Sequence, residues 1–333
     1  MAKKPNRFPK LHNAAWPGLL GRGGAGDESA FDLDTMLRYT ANAEVDGCRF
    51  DGVDLLLGTP HVDIDSSDDD LKRIADKVRS MNLEIGTVAA PVWESTGGGS
   101  AMGDETRRKK FLTQVKKACE IAKKLRDLGV RPCGCVRIDT ATSVEAWTDN
   151  PEENQKKIAA TFTEACDIAV EFDEVLACEG AVHWGGIHSW KRAKQILEEV
   201  DRPQTLGFQA DMAQTIQFLH GVHAPEDRLL PPDFDWKDKE TFDRAYKRMA
   251  NALRIWTVDL HIAQSDATLP PNAKLDAAYY AGFWLRDEDG LMKRYNHICW
   301  DGGTSPNAAM QDPKTWNDAL ETMLKVRDKH GWK

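Results

Sequence analysis

The sequence lacks the cysteine spacing of a disulfide scaffold or a thiolate metal site. Its 333 residues include only seven cysteines, an odd number, and no two of them form a CxxC pair. Cys133 and Cys135 are two positions apart in a strand-like run, so we expect them to share one face without forming a site. The cysteine content therefore predicts a protein of a reducing compartment without structural disulfides.

Long apolar runs and an excess of basic charge are also missing. No run of about 18 apolar residues occurs, so no transmembrane helix and no membrane partner are predicted. The first residues, MAKKPNRFPK, are basic but lack the apolar stretch of a signal peptide, and we expect a cytoplasmic protein. The formal net charge of −9 argues against nucleic-acid binding, which leaves small polar molecules as the expected partners.

Eight short apolar runs alternate with long amphipathic segments along the chain. The runs are LHNAAW (11–16), CRFDGVDLLL (48–57), LEIGTVAA (83–90), CGCVRID (133–139), EVLACE (174–179), TLGFQAD (205–211), WTVDLHIA (256–263) and NHICWD (296–301). Between them, apolar residues recur at helical spacing, as at Phe111, Val115, Ala118 and Ala122, with most Lys and Arg opposite. This alternation predicts an α/β fold, a (β/α)8 TIM barrel that forms a single domain over residues 1–333.

A doubly wound dinucleotide-binding sheet is the alternative, because Gly21, Gly23 and Gly26 satisfy the GxGxxG spacing. The context does not fit this motif, since the preceding AAWPGLL contains Trp and Pro and the following DESAFDLD does not open a helix directly. A second glycine-rich stretch, TGGGSAMG at 96–103, falls between the third strand and its helix. Both stretches favour loops over phosphate cradles.

Four consecutive strand runs end in, or carry near their end, a potential metal ligand. These residues are Glu179, Asp211, His261 and Asp301. In a barrel of this kind the chemistry lies at the carboxyl ends of the strands. One acid after a strand is most often a helix N-cap or a salt-bridge partner, but four ligands at equivalent positions predict a mixed oxygen and nitrogen site for one divalent ion. Carboxylate oxygens dominate it, which favours Mn²⁺, with Mg²⁺, Co²⁺ or Zn²⁺ as alternatives.

Two motifs resemble the xylose-isomerase-like TIM-barrel superfamily of sugar isomerases, epimerases and related 3-keto-glycoside lyases. EVDGCRFDGVDLLL at 44–57 is similar to the superfamily's G(F/Y)DGVE run, and HIAQSDATLPP at 261–271 is similar to its seventh-strand loop. The resemblance covers nearly the whole chain and implies that Glu179, Asp211, His261 and Asp301 hold one divalent ion. It also implies an enzyme of carbohydrate metabolism that acts on a free sugar or keto-sugar.

The chain departs from the epimerase pattern at two positions. Asp301 stands where the epimerases usually have Glu, and Gln214 stands where they often have His. A carboxylate next to a metal-bound carbonyl can remove the adjacent proton and form an enediolate. That first step leads to isomerisation or epimerisation, which we favour, or to β-elimination from a 3-keto-glycoside by a lyase, which needs only one base and one acid.

The remaining candidate residues are assigned to catalysis and substrate contact. Glu179 is the first choice for the base, Asp301 is a second proton carrier, and His183 either orients a hydroxyl or protonates a leaving group. Gln214 is expected to bind a sugar hydroxyl or to complete the metal shell. Further expected substrate contacts are Arg137, His61, Trp16, Trp93 and Trp184, the indoles because apolar sugar faces stack on them.

Other functions in this fold class make different demands on the sequence. An abasic-site endonuclease needs more strand-end histidines and a basic groove, whereas this chain has nine histidines and a net negative charge. A barrel that only binds a sugar predicts that metal is dispensable. No Lys or Arg cluster at a helix start indicates a phosphate pocket, so an unphosphorylated sugar is expected. We also expect a homo-oligomer, because exposed barrel faces commonly associate, and a contribution of a partner subunit to the pocket stays open.

Overall fold

The computed structural model describes residues 7–14, 31–263, 276–287, 290–291, 296–301 and 310–333. Eight parallel strands close into a barrel. Strands β1 to β10 comprise Lys10–Asn13, Gly52–Leu56, Glu84–Ala89, Val136–Ile138, Leu176–Glu179, Leu206–Asp211, Thr257–Ile262, Arg286–Asp287, Gly290–Leu291 and His297–Trp300. The order around the barrel is β1-β10-β7-β6-β5-β4-β3-β2, while β8 and β9 form a separate antiparallel pair. The eight predicted strand runs are thus the eight barrel strands, and the predicted (β/α)8 barrel is confirmed.

Helices follow the barrel strands and cover the outside. Helices α1 to α11 comprise Leu33–Asn42, Asp68–Ser80, Glu105–Asp127, Val144–Thr148, Pro151–Glu171, Trp190–Val200, Met212–His220, Lys239–Leu253, Ala277–Tyr280, Gly282–Leu285 and Pro313–His330. Short 3₁₀ turns lie at Glu94–Thr96 and Pro225–Asp227. Among the described residues, no helix is both long enough and apolar enough to cross a membrane.

Local sequence chemistry explains where these helices begin. In α2, Ser67 and Asp70 form a capping box, and three consecutive acids occupy the first turn. In α11, Asp312 caps the helix and Pro313 takes the first helical position, where its missing N–H costs nothing. The apolar stripe of α3 is buried at Phe111 and along its length, so the one-sided periodicity faces the barrel as predicted.

Parallel strand register sets the height of each side chain in the barrel. Asp211 of β6 pairs with His261 of β7, and Cys299 of β10 pairs with the same histidine on its other side. The N–H of Asp301 donates to the carbonyl of Ile262 at 3.1 Å, which extends this alignment by one residue. The ends of these three strands therefore meet at one place on the barrel mouth.

Candidate functional site

Three of the four predicted metal ligands lie together at the barrel mouth. Asp211, His261 and Asp301, called the mouth cluster below, each offer a donor atom, and these atoms lie within 4.8 Å of one another. Asp211 and His261 are buried, and Asp301 is half-buried. Three donors from adjacent strands at this spacing match what a divalent ion with mixed oxygen and nitrogen ligands requires.

The His261 ring has one nitrogen facing the barrel interior and one facing the mouth. Its Nε2 lies 3.1 Å from the amide nitrogen of Gln209 and 3.8 Å from the carboxylates of both Asp54 and Asp259. Its Nδ1 is buried, has no hydrogen bond to a described residue, and lies 3.6 Å from Oδ2 of Asp301. A histidine that binds a metal usually has one ring nitrogen free for the ion and the other next to an acceptor such as a carboxylate. The two nitrogens of His261 have this arrangement.

The electrostatics of the mouth cluster also fit a cation. Burial and the neighbouring Asp301 carboxylate raise the pKa of Asp211 to about 6. Burial disfavours the charged His261 ring, but Asp301, Asp259 and Asp54 outweigh it and raise the pKa of His261 to about 9. The cluster concentrates negative charge that a divalent ion would balance.

Asp211 has a structural role as well. Its Oδ1 accepts the backbone N–H of Gln214 at 2.8 Å and so caps α7, the ordinary function of an acid after a strand. The Gln214 side chain is half-buried, and its Oε1 lies 3.5 Å from the amide nitrogen of Gln217. A capping role and a ligand role are compatible, because a carboxylate has several acceptor positions.

Glu179 is not among the three donors of the mouth cluster. It ends β5, is buried, and forms a close ion pair with the buried Arg137 of neighbouring β4. The Nε of Arg137 is buried and has no hydrogen bond among the residues that the structure describes, and the guanidinium lies 4.0 Å from Asp139. The ion pair holds Glu179, the candidate base, beside the positive charge of Arg137. Coordination of the metal by Glu179 stays a prediction.

Two of the predicted tryptophans form a wall next to this ion pair. The rings of Trp93 and Trp184 are stacked with centroids 6.4 Å apart, and the Arg137 guanidinium lies 5.9 Å from the Trp93 ring. Trp93 Nε1 donates to the Asp139 carboxylate at 2.9 Å, which fixes the indole plane. An apolar wall beside a charged pair is a surface that suits a sugar.

His183 and His61 differ from His261 in that their pKa values are lowered. His183 is at the exposed rim with its ring 4.6 Å from Trp184, and partial burial together with the Arg137 charge lowers the pKa of His183 to about 4. His61 is buried after β2, neither ring nitrogen has a hydrogen bond to a described residue, and burial lowers its pKa to about 4. Both rings are neutral at pH 7. Trp16 lies outside the described residues.

The comparison with protein families decides the classification. The profile described as xylose isomerase-like TIM barrel matches residues 43–269, more than half of the chain. The chain belongs to the xylose isomerase-like TIM barrel family. The resemblance noted in the sequence is thereby confirmed. No curated protein matches this member of the family.

Solved structures similar to this family member share its fold at low identity. They include 3-keto-D-glucoside 4-epimerase YcjR from E. coli, at 14% identity and TM-score 0.57 with 95% of this chain and 98% of the other covered. IOLI protein with a bound zinc atom is 16% identical at TM-score 0.62, with 96% and 99% covered. D-psicose 3-epimerase is 12% identical at TM-score 0.53, with 90% and 91% covered.

A group of polar residues lies below the mouth cluster and was not predicted from the sequence. His12, Asp54, Gln209, Asp259 and His297, called the inner polar layer below, are buried inside the barrel. Thr87 of β3 donates to Asp259 of β7 at 3.0 Å, and such a contact between non-neighbouring strands crosses the barrel interior. The signal was available: Gln209 and Asp259 precede Asp211 and His261 by two residues, and in a strand this spacing places side chains on the same face.

Proposed function

We propose that this protein is a divalent-metal-dependent epimerase or isomerase of an unphosphorylated sugar or keto-sugar. The observation that carries the proposal is the mouth cluster, in which Asp211, His261 and Asp301 meet within 4.8 Å and His261 Nδ1 is buried without a hydrogen bond in the described part of the chain. These residues would hold the ion, with Mn²⁺ as the first candidate. A bound divalent ion would act as a Lewis acid that polarises a substrate carbonyl.

The protein's own carboxylates would then carry the proton. Glu179 is our choice for the base, because Arg137 holds it in place at the end of β5, the strand next to the one that bears Asp211. Asp301 is half-buried and reaches the mouth from the other side of His261, which suits a second proton carrier. Two acids on separate strands give the two positions that an epimerisation or isomerisation needs.

The walls of the mouth favour a sugar. Trp93 and Trp184 present stacked indoles, and Arg137 retains donor capacity for a hydroxyl or carbonyl oxygen. The similar structures described as a 3-keto-D-glucoside epimerase and a D-psicose epimerase support a sugar substrate, and the zinc-bound one supports a metal. Gln214 stays a proposed contact to the substrate or the metal. We further propose that the chain acts as one barrel domain.

A lyase that eliminates a substituent from a 3-keto-glycoside is the second candidate. The ion pair between Glu179 and Arg137 favours the lyase, because the pair separates one base from the three grouped ligands. Elimination also needs an acid, and His183, with its pKa lowered to about 4, is a poor proton donor at neutral pH. We therefore keep the epimerase or isomerase as the principal proposal.

The two outcomes separate in one experiment. The Mn²⁺-loaded protein is incubated in D₂O with a panel of aldoses, ketoses and 3-keto-glycosides, and the products are followed by NMR. Deuterium in a recovered isomer or epimer supports the principal proposal, and loss of the glycosidic substituent supports the lyase. An absence of exchange and of product with every substrate, for metal-loaded protein, would reject both.

A further inference from the structure

The inner polar layer contains a second set of metal-type donors that the proposed reaction does not use. His12 Nδ1 lies 3.1 Å from Asp54 Oδ1, and His297 Nε2 lies 3.3 Å from the same oxygen. Donor atoms bonded at about 2.1 Å to a tetrahedral ion are roughly 3.4 Å apart, so this spacing suits three corners of such a shell. All three side chains are buried.

The absence of a side chain at Gly86 lets these three donors approach one another closely. A Cβ added at Gly86 of β3 would lie 2.5 Å from Asp54 Oδ1, 2.5 Å from His12 Nδ1 and 2.8 Å from His297 Nε2. Any other residue at position 86 would place a carbon atom against all three donors and force them apart.

The distal nitrogens of both histidines have partners suited to a ligand role. His12 Nε2 lies 3.2 Å from the Glu84 carboxylate, and His297 Nδ1 lies 3.7 Å from the Cys133 sulfur. A metal-bound histidine usually donates its other N–H to a carboxylate or similar acceptor, which fixes the ring and its tautomer. Glu84 and Cys133 thus contact the distal nitrogens of the two rings, while His12 Nδ1 and His297 Nε2 face Asp54.

The charge balance of the layer also favours a cation. The carboxylates of Asp54, Asp259 and Glu84 surround two imidazoles in the barrel interior, and His297 Nε2 is 3.7 Å from Asp259 as well as close to Asp54. A divalent ion would supply positive charge where these acids and imidazole nitrogens meet.

We propose that His12, Asp54 and His297 form a second, buried divalent-metal site below the mouth cluster, specific for a borderline ion such as Zn²⁺ or Co²⁺. Two imidazoles and one carboxylate suit these ions better than Mg²⁺ or Ca²⁺. This site is separate from the mouth cluster in its donors, although Asp54 Oδ2 lies 3.8 Å from His261 Nε2. It does not depend on the proposed reaction, since it shares no ligand with the mouth cluster.

The number of bound zinc ions tests this proposal without any activity assay. The purified full chain is saturated with Zn²⁺, passed through a gel-filtration column, and measured by elemental analysis. We expect two zinc ions per wild-type chain and one in His297→Asn. Asp211→Asn, which removes a mouth ligand, is also expected to keep one, and the double variant none.

Matched variants separate the site from surface binding and from misfolding. His223→Asn changes an exposed histidine and should keep two ions. Gly86→Ala places a Cβ 2.5–2.8 Å from the three donors and forces them apart without changing any of them, so the count should drop to one, whereas Gly58→Ala, whose added Cβ finds only ordinary contacts at 3.7 Å, should keep two. Gly86→Ala thus tests the site if His297→Asn fails to fold. A wild-type count of one, or a count of two in a folded His297→Asn, would overturn the proposal.

Discussion

Two buried Arg–Glu pairs lie at opposite ends of strand β5, and their surroundings differ. Before the strand, Glu174 accepts from Arg131 at 2.9 Å and from Arg126 of α3 at 2.7 Å, and Arg131 also donates to the carbonyl of Gly86. After the strand, Glu179 pairs with Arg137 beside an aromatic wall and the mouth cluster.

The same pair chemistry therefore serves different purposes at the two ends. The lower pair ties a helix, a strand and a loop together, and burial raises the pKa of Glu174 despite its two arginines. The upper pair lies where substrate would enter. In TIM barrels the carboxyl ends of the strands carry the chemistry and the opposite end contributes stability. Each prediction below contrasts a residue at the mouth with a counterpart elsewhere.

The largest effect is expected from Asp211→Asn. Asparagine can cap α7 as aspartate does, so the fold should persist while the mouth loses a charged ligand and turnover becomes undetectable. Asp238→Asn is the matched control, because Asp238 also caps a helix, α8, through the N–H of Thr241 but is exposed. Rates at saturating Mn²⁺ and thermal melts of both variants check this. Normal turnover in Asp211→Asn would remove it from the metal site.

Glu179→Gln should lower the rate by roughly 10²–10⁴-fold, the usual contribution of a positioned general base. It should lose less stability than its counterpart, because Arg137 keeps a second carboxylate, that of Asp139, at 4.0 Å. Glu174→Gln should do the reverse, because it leaves the buried Arg131 without its full charge partner and costs about 3 kcal/mol of unfolding free energy. Rate and urea denaturation are measured on both variants. A wild-type rate in Glu179→Gln would contradict its role as the base.

Trp184→Leu should raise KM by about three- to tenfold while changing kcat less, since a stacking contact contributes about 0.5–1.5 kcal/mol. Trp236→Leu is the control, because the Trp236 ring packs against Phe234 and Phe242 rather than against Trp93 or Trp184. Steady-state kinetics on the substrate found by NMR distinguish the two. Equal KM values in both variants would argue against an indole wall that binds sugar.

The smallest effect on stability is expected from Gln214→His, within about 1 kcal/mol, because the capping bond to Asp211 uses the backbone N–H. This change restores the residue type that the epimerases often carry. We expect the ratio of epimerised to eliminated product to shift a few-fold toward epimerisation, as measured by NMR. An unchanged ratio would show that position 214 does not choose between the two outcomes.

The fold was predictable because short apolar runs typical of buried strands alternate along the chain with segments whose apolar residues recur at helical spacing. Strand runs such as TLGFQAD (205–211) end in polar residues at the strand boundary, and amphipathic stripes such as that of α3 mark the covering helices. Asp211, His261 and Asp301 could be grouped from the sequence because parallel strands in a barrel bring their carboxyl ends together.

Pairwise contacts across the barrel could not be predicted in the same way. The partnership of Glu179 with Arg137 depends on the register of β4 against β5, which short motifs do not specify. The convergence of His12, Asp54 and His297 requires the closure of the barrel, because β10 and β2 both flank β1 only once the sheet is closed. The close approach of the three donors beside Gly86 depends on three side-chain orientations together.

The measurement that tests the central claim most directly is anomalous diffraction at the manganese edge from Mn²⁺-soaked crystals. The predicted result is an anomalous peak within bonding distance of Asp211, His261 Nδ1 and Asp301. The ordinary electron density from the same crystals reveals whether Glu179 leaves Arg137 to join the shell. A map without a peak at these residues, from protein whose activity requires Mn²⁺, would contradict the assignment of the metal centre.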